Sequence, residues 1–204
     1  ETGVEDGSRL VLLVAPAGVL LTASADGTAK LWNAETGDCA MTLWGHLNSV
    51  MSATFSQSGD LVLTASTDGT AKLWCVETCQ CLTTFQGHTA PLRSAVFSPG
   101  GALVLTASSD QTAKLWDARS GECLQTFAGH RDRVTSAEFS PDGCTVVTAS
   151  SDLNVMLWDL ATAESVLTLQ CHGSIWSAVF SPDGATVLTA SSDRTARLWN
   201  AEDG

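Results

Sequence analysis

The segment LTASADGTAKLW (Leu21–Trp32) decides how this chain is read. It returns as LTASTDGTAKLW (63–74), LTASSDQTAKLW (105–116), VTASSDLNVMLW (147–158) and LTASSDRTARLW (188–199). Its tryptophans, Trp32, Trp74, Trp116, Trp158 and Trp199, follow one another at 42, 42, 42 and 41 residues. The four histidines, His46, His88, His130 and His172, stand 42 apart, and each precedes one of the last four segments. Threonines and aspartates keep the same step, from Thr22 and Asp26 to Thr189 and Asp193. So many positions in register describe one structural unit copied five times.

Each unit reads as short strands. In SAVFSPDGATVLTASSDRTARLW (177–199) three runs rich in Val, Thr, Ala and Leu are separated by turn-forming Pro-Asp-Gly and Ser-Asp. A fourth run follows most of the tryptophans, as in ECLQTFAGH (122–130). No segment shows a helical period. Four strands in about 42 residues is the length of a propeller blade, whose sheet is buried only by stacking on its neighbours. The fold expected is all-β: a propeller of about five four-stranded antiparallel blades. The units fall at about 10–45, 46–87, 88–129, 130–171 and 172–204 of a single domain spanning 1–204.

Composition narrows the function. The chain of 204 residues is 44% hydrophobic and 16% charged, enough apolar content for a core. Its net charge of −12 disfavours a nucleic-acid backbone or an acidic membrane surface as partner. No apolar run reaches the length of a spanning helix, and no secretion signal is visible. Seven cysteines, an odd number, suggest free thiols in a reducing compartment, hence a cytoplasmic location. The chain opens on Glu1, not Met, which leaves its natural start open.

The units resemble the WD-repeat β-propeller family. Gly45-His46, Gly87-His88 and Gly129-His130 match the family's Gly-His pair, with Cys171-His172 in the fifth unit. Trp116-Asp117 and Trp158-Asp159 match its Trp-Asp pair; the other copies read Trp32-Asn33, Trp74-Cys75 and Trp199-Asn200. The resemblance implies a hydrogen-bonded network inside each blade. Its sets are His46, Thr64, Asp68 and Trp74; His88, Thr106, Asp110 and Trp116; His130, Thr148, Asp152 and Trp158; and His172, Thr189, Asp193 and Trp199. Thr, His and Asp also build hydrolase triads, but catalysis needs one exposed set, whereas every blade must pair its own buried polar groups. The structural reading is therefore preferred. The first unit has no histidine, so Asp26 is expected to rely on backbone donors or water, and blade 1 to be the weakest.

Other candidates are read the same way. Cys75, Cys79 and Cys81 form C-x3-C-x-C, but Cys81 repeats Cys39 and Cys123, so no zinc site is expected. No cofactor is expected either. Lys30, Lys72, Lys114 and Arg197 recur at one strand position and read as solvated residues or partners for nearby acids. Positions that vary between units are free to carry specificity. By the resemblance, the channel-mouth positions are Ser49 and Met51, Pro91 and Arg93, Arg133 and Thr135, Ile175 and Ser177, with Ala25, Thr67, Ser109, Ser151 and Ser192 before the aspartates. Arg93 and Arg133 could grip an acidic or phosphorylated peptide. Trp176 takes the place of Val50 and reads as core in preference to an aromatic anchor for a partner.

The expected function is a non-catalytic scaffold presenting binding surfaces for proteins or peptides on a rigid propeller. An alternative is the regulatory or sensing region of a larger ATPase or kinase, and a remote one is a hydrolase using one Thr/His/Asp set. Closure is the open structural question. Gly3, Gly37, Cys79, Gly121, Ala163 and Gly204 mark one phase, but the first step is 34 residues and the others 41 or 42. Residues 1–9 would have to supply the closing strand, and VEDGSR is a poor strand former. A part of a larger, seven-bladed ring is therefore favoured over a closed five-blade ring. An unclosed ring would self-associate.

Overall fold

A computed structural model describes Leu13–Val14 and residues 18–204, and among them every regular element is a strand. The residues fall into five antiparallel sheets in chain order. The first holds β1 (Leu13–Val14), β2 (Val19–Ala23), β3 (Ala29–Asn33) and β4 (Cys39–Leu43). The second holds β5 (Val50–Phe55), β6 (Leu61–Ser66), β7 (Thr70–Cys75) and β8 (Cys81–Gln86). The third holds β9 (Leu92–Phe97), β10 (Leu103–Ser108), β11 (Thr112–Asp117) and β12 (Cys123–Ala128). The fourth holds β13 (Val134–Phe139), β14 (Thr145–Ser150), β15 (Asn154–Asp159) and β16 (Ser165–Gln170). The fifth holds three strands, β17 (Ile175–Phe180), β18 (Thr186–Ser191) and β19 (Ala196–Asn200). Residues 1–9, where a closing strand was expected, lie outside the described residues.

The repeated letters give repeated register. Thr64 pairs with Lys72, Thr106 with Lys114 and Thr148 with Met156, so each threonine sits opposite the residue two before its tryptophan. A bulge falls opposite each tryptophan of the first four sheets, for example between Leu73 and Trp74. The turn before the third strand needs a left-handed residue. Units 1 and 2 place Gly27 (φ 84°) and Gly69 (φ 86°) there, whereas Gln111 (φ 73°), Leu153 (φ 74°) and Arg194 (φ 68°) adopt it despite their side chains.

No sheet buries itself. Leu21, Leu31 and Leu43 of the first sheet pack on Val50, Val62 and Trp74 of the second. The same contact recurs from Leu63, Leu73 and Phe85 onto Leu92, Val104 and Trp116, and from Leu105, Leu115 and Phe127 onto Val134, Val146 and Trp158. Val147, Leu157 and Leu169 then pack on Ile175 and Val187. Each such large side chain stabilises the stack by roughly 1.5–3 kcal/mol.

The fifth sheet carries the same letters, but among the described residues it has no neighbour on its far face. Leu157 is 1% exposed, whereas its counterpart Leu198 is 72% exposed and Leu188 is exposed beside it. At the other end of the arc Trp32 is half-buried, while Trp74, Trp116 and Trp158 are buried.

Candidate functional site: the blade networks and the channel mouth

A tryptophan packed between sheets must pair its indole N–H. In the second blade Trp74 Nε1 donates to Thr64 Oγ1 at 2.9 Å. The same hydroxyl lies 2.7 Å from His46 Nε2, and His46 Nδ1 lies 2.9 Å from Asp68 Oδ2. Asp68 can only accept, so Nδ1 carries the imidazole proton, and Nε2 accepts the threonine O–H. The carboxylate also takes the Leu47 N–H at 2.9 Å and both the N–H and hydroxyl of Thr70, at 2.8 and 2.7 Å. The third and fourth blades repeat this: His88–Asp110 2.7 Å, His88–Thr106 2.8 Å, Trp116–Thr106 2.9 Å, then His130–Asp152 2.9 Å, His130–Thr148 2.8 Å, Trp158–Thr148 2.8 Å. The glycine before each of these three histidines lies close against the indole. A Cβ on Gly45, Gly87 or Gly129 would stand 3.2, 3.2 or 3.0 Å from the ring edge of Trp74, Trp116 or Trp158.

Burial holds the pKa of His46, His88 and His130 below the ordinary imidazole value, against the pull of their aspartates. Burial works on Asp68 in the opposite sense, but hydrogen bonds from Thr70, Leu47 and His46 outweigh it and hold the carboxyl at about 2. These sets are buried and saturated with internal partners, so none presents a free nucleophile. Glu138, half-buried on β13, is pushed up to about 7 by burial.

The first blade keeps Trp32 Nε1 on Thr22 Oγ1 at 2.9 Å. Its Asp26 takes the Thr28 N–H at 2.9 Å and the Thr28 hydroxyl at 2.7 Å.

The fifth blade departs from expectation, and His172 is the correction. His172 is exposed and has no place in the network among the described residues. Trp199 still donates to Thr189 at 2.9 Å, but Asp193 meets the Arg197 guanidinium at 3.1 Å. The buried neighbour of Thr189 and Arg197 is Cys171, whose thiol is pushed up by burial. One residue is missing from the loop between Gln170 and Ile175, so the histidine falls past its slot. The 41-residue step from Trp158 to Trp199 records the deletion but not the slot it empties.

The same deletion corrects the mouth. Met51, Arg93, Arg133, Thr135, Ser151 and Ser192 line one cavity of about 530 Å³, together with Ser174 and Trp176. Ile175 and Ser177, expected there, are displaced by one place. Ile175 is buried in the core, and Ser177 pairs with Ala190 inside the fifth sheet. Trp176, read as core, is 64% exposed, because Ile175 takes the apolar position opened by Val50, Leu92 and Val134. The remaining expected positions serve the backbone. Ser49 Oγ donates to the Ala25 carbonyl at 3.1 Å, Thr67 Oγ1 to the Ser49 carbonyl at 3.3 Å, and the Pro91 carbonyl accepts the Ser109 N–H at 2.9 Å. Arg93 Nε donates to Ser109 Oγ at 2.9 Å and Arg133 Nε to Ser151 Oγ at 3.1 Å. Both guanidinium groups are thus held through Nε, and their terminal nitrogens have no hydrogen-bond partner among the described residues.

Lys72 and Lys114 reach Thr84 and Thr126 on the outer strands, at 3.0 and 2.9 Å. Among the described residues no group of three or more His, Cys, Asp or Glu could hold a metal ion.

The family model described as WD domain, G-beta repeat matches residues 9–33, 37–75, 79–117, 121–159 and 163–200. No curated protein matches the chain.

Asp110→Ala leaves four donors around the third-blade network unpaired and is expected to cost about 1–3 kcal/mol. His172→Ala is expected to stay within about 0.5 kcal/mol. Urea unfolding of both variants checks the pair; equal losses would show that His172 does belong to the network. The pH dependence follows from the three buried histidines. Their folded pKa values lie below the unfolded value, so their stabilisation is present above about pH 6.5 and is lost as pH falls below it. Asp68 stabilises above about pH 4 and loses this as pH falls towards 2. Glu138 opposes the histidines, because its raised pKa favours folding as pH drops from 7 towards 4.5. Melting temperature in a Glu138→Gln background is therefore expected to fall between pH 6.5 and 5; a rise would contradict neutral, buried imidazoles.

Proposed function

The chain belongs to the WD-repeat family, and from that premise we propose that it is a non-catalytic scaffold that holds acidic or phosphorylated segments of partner proteins at the mouth of its central channel. WD40 repeats generally mediate protein–protein interaction. The observation that carries the reading is the pair of serine-anchored arginines, Arg93 and Arg133, lining one cavity. Neither forms an ion pair with an acid among the described residues. The overall charge of −12 repels anions at a distance, but screening over about 8 Å leaves the contact to the local pair. Long nucleic acids and acidic membranes, which present charge over a wide area, remain disfavoured. We place the protein in the cytoplasm on its seven free thiols.

One observation favours a second reading, in which the five blades are part of a larger assembly. Leu188 and Leu198 occupy the positions that carry the next blade elsewhere in the stack, yet here they are exposed. Another copy of the chain, or further blades, would cover them.

Two measurements test these readings. Charge reversal of Arg93 and Arg133 to glutamate is expected to leave the melting temperature unchanged. It should abolish retention on beads carrying phosphothreonine peptides or a glutamate-rich peptide; retained binding would clear both residues. Light scattering over a concentration series is expected to show self-association of the parent chain and a monomer for Leu198→Asp. A parent chain that stays monomeric at every concentration would remove the second reading for isolated chains.

A further inference from the structure

The mouth has an order that its electrostatics alone do not use. The innermost strands β5, β9, β13 and β17 follow one another around the channel, and they present Met51, Arg93, Thr135 and Trp176 at one equivalent position. Arg133 stands two residues before Thr135, between Arg93 and Trp176 in blade order. Going round the cavity, the lining therefore runs apolar, cationic, cationic, aromatic. Thr135 Oγ1 donates to the Ile175 carbonyl at 2.7 Å, which ties the strand behind Arg133 to the backbone beside Trp176.

We propose that the ligand is a peptide with a phosphorylated residue flanked by apolar side chains, a reading that rests on the mouth being a peptide site. The phosphate is taken by Arg93 and Arg133, and its neighbours pack on Met51 at one side and Trp176 at the other. Two observations select this class. First, two cations with no acidic partner among the described residues match a phosphomonoester, which carries close to two negative charges at neutral pH, better than one carboxylate. Ser151, Ser174 and Ser192 add hydroxyls around the same space. Second, Trp176 stands apart from the tryptophans of the blade networks. Trp74, Trp116 and Trp158 are buried with their N–H groups paired, whereas Trp176 lies largely exposed on the wall of a concave site. A large exposed aromatic at such a place gains most when a ligand's apolar side chain covers it. About 530 Å³ accommodates a phosphorylated side chain with a neighbouring residue.

Fluorescence polarisation with labelled nine-residue peptides tests this. Each carries a central phosphothreonine, flanked either by Leu and Phe or by Ser and Gly, and inorganic phosphate serves as competitor. The apolar-flanked peptide is expected to bind about tenfold tighter or more. Trp176→Ala is expected to bring it down to the level of the polar-flanked peptide, with an unchanged melting temperature. Arg93→Gln with Arg133→Gln is expected to weaken both peptides. Equal binding of the two peptides, lost in the arginine variant, would overturn the flank reading and leave the anion site standing. Phosphate competing as well as either peptide would show a free-phosphate site and overturn it too. Absence of binding by both phosphopeptides would overturn the mouth reading and this inference together.

Discussion

One threonine hydroxyl per blade carries much of the design. The tryptophan gives its blade a large apolar surface for the neighbouring sheet, but it brings a polar N–H into a dry interface. Thr64, Thr106 and Thr148 accept that N–H and donate onward to a histidine, and the histidine donates to an aspartate that collects backbone N–H groups at the strand ends. Each member can be buried only because the next one pairs it. The glycine before the histidine suits the same packing, since the indole edge would crowd a Cβ there.

That local solution makes the global one possible. A four-stranded sheet has two faces, and here neither is self-sufficient, so stability is a property of contacts between consecutive blades. The four inter-blade cores use the same positions each time. The consequence appears at the fifth blade, where the same leucines are exposed and no further blade covers them among the described residues. Side-chain identity is thus not what buries a residue in this fold; the next blade is.

The fifth unit shows how far the network tolerates change. With one residue fewer before β17, the loop cannot bring an imidazole to Thr189, and Cys171 and Arg197 fill the space instead. Asp193 keeps a cationic partner, and Trp199 keeps its threonine. The same shortening turns Trp176 outward, so a single deletion both rebuilds a structural network and places an aromatic residue at the mouth. Conserving the fold and varying the rim are in this way separate tasks carried by neighbouring residues.

The repeat period, the strand content and the network residues of the second, third and fourth blades were legible in the sequence, because a 42-residue step repeats both the hydrophobic pattern and the polar partners that local pairing demands. Arg93 and Arg133 were legible as variable positions beside constant ones. The exclusion of His172, the replacement of Ile175 and Ser177 by Ser174 and Trp176, and the exposure of Trp176 were decided by the tertiary structure. Counting along the chain assigns a residue to a slot, but in a strand a shift of one place reverses the face it presents. Only the packed sheets show that the missing residue is absorbed between Gln170 and Ile175. Coverage of Leu198 was likewise beyond the repeat pattern, since its burial depends on a surface that the unit itself does not contain.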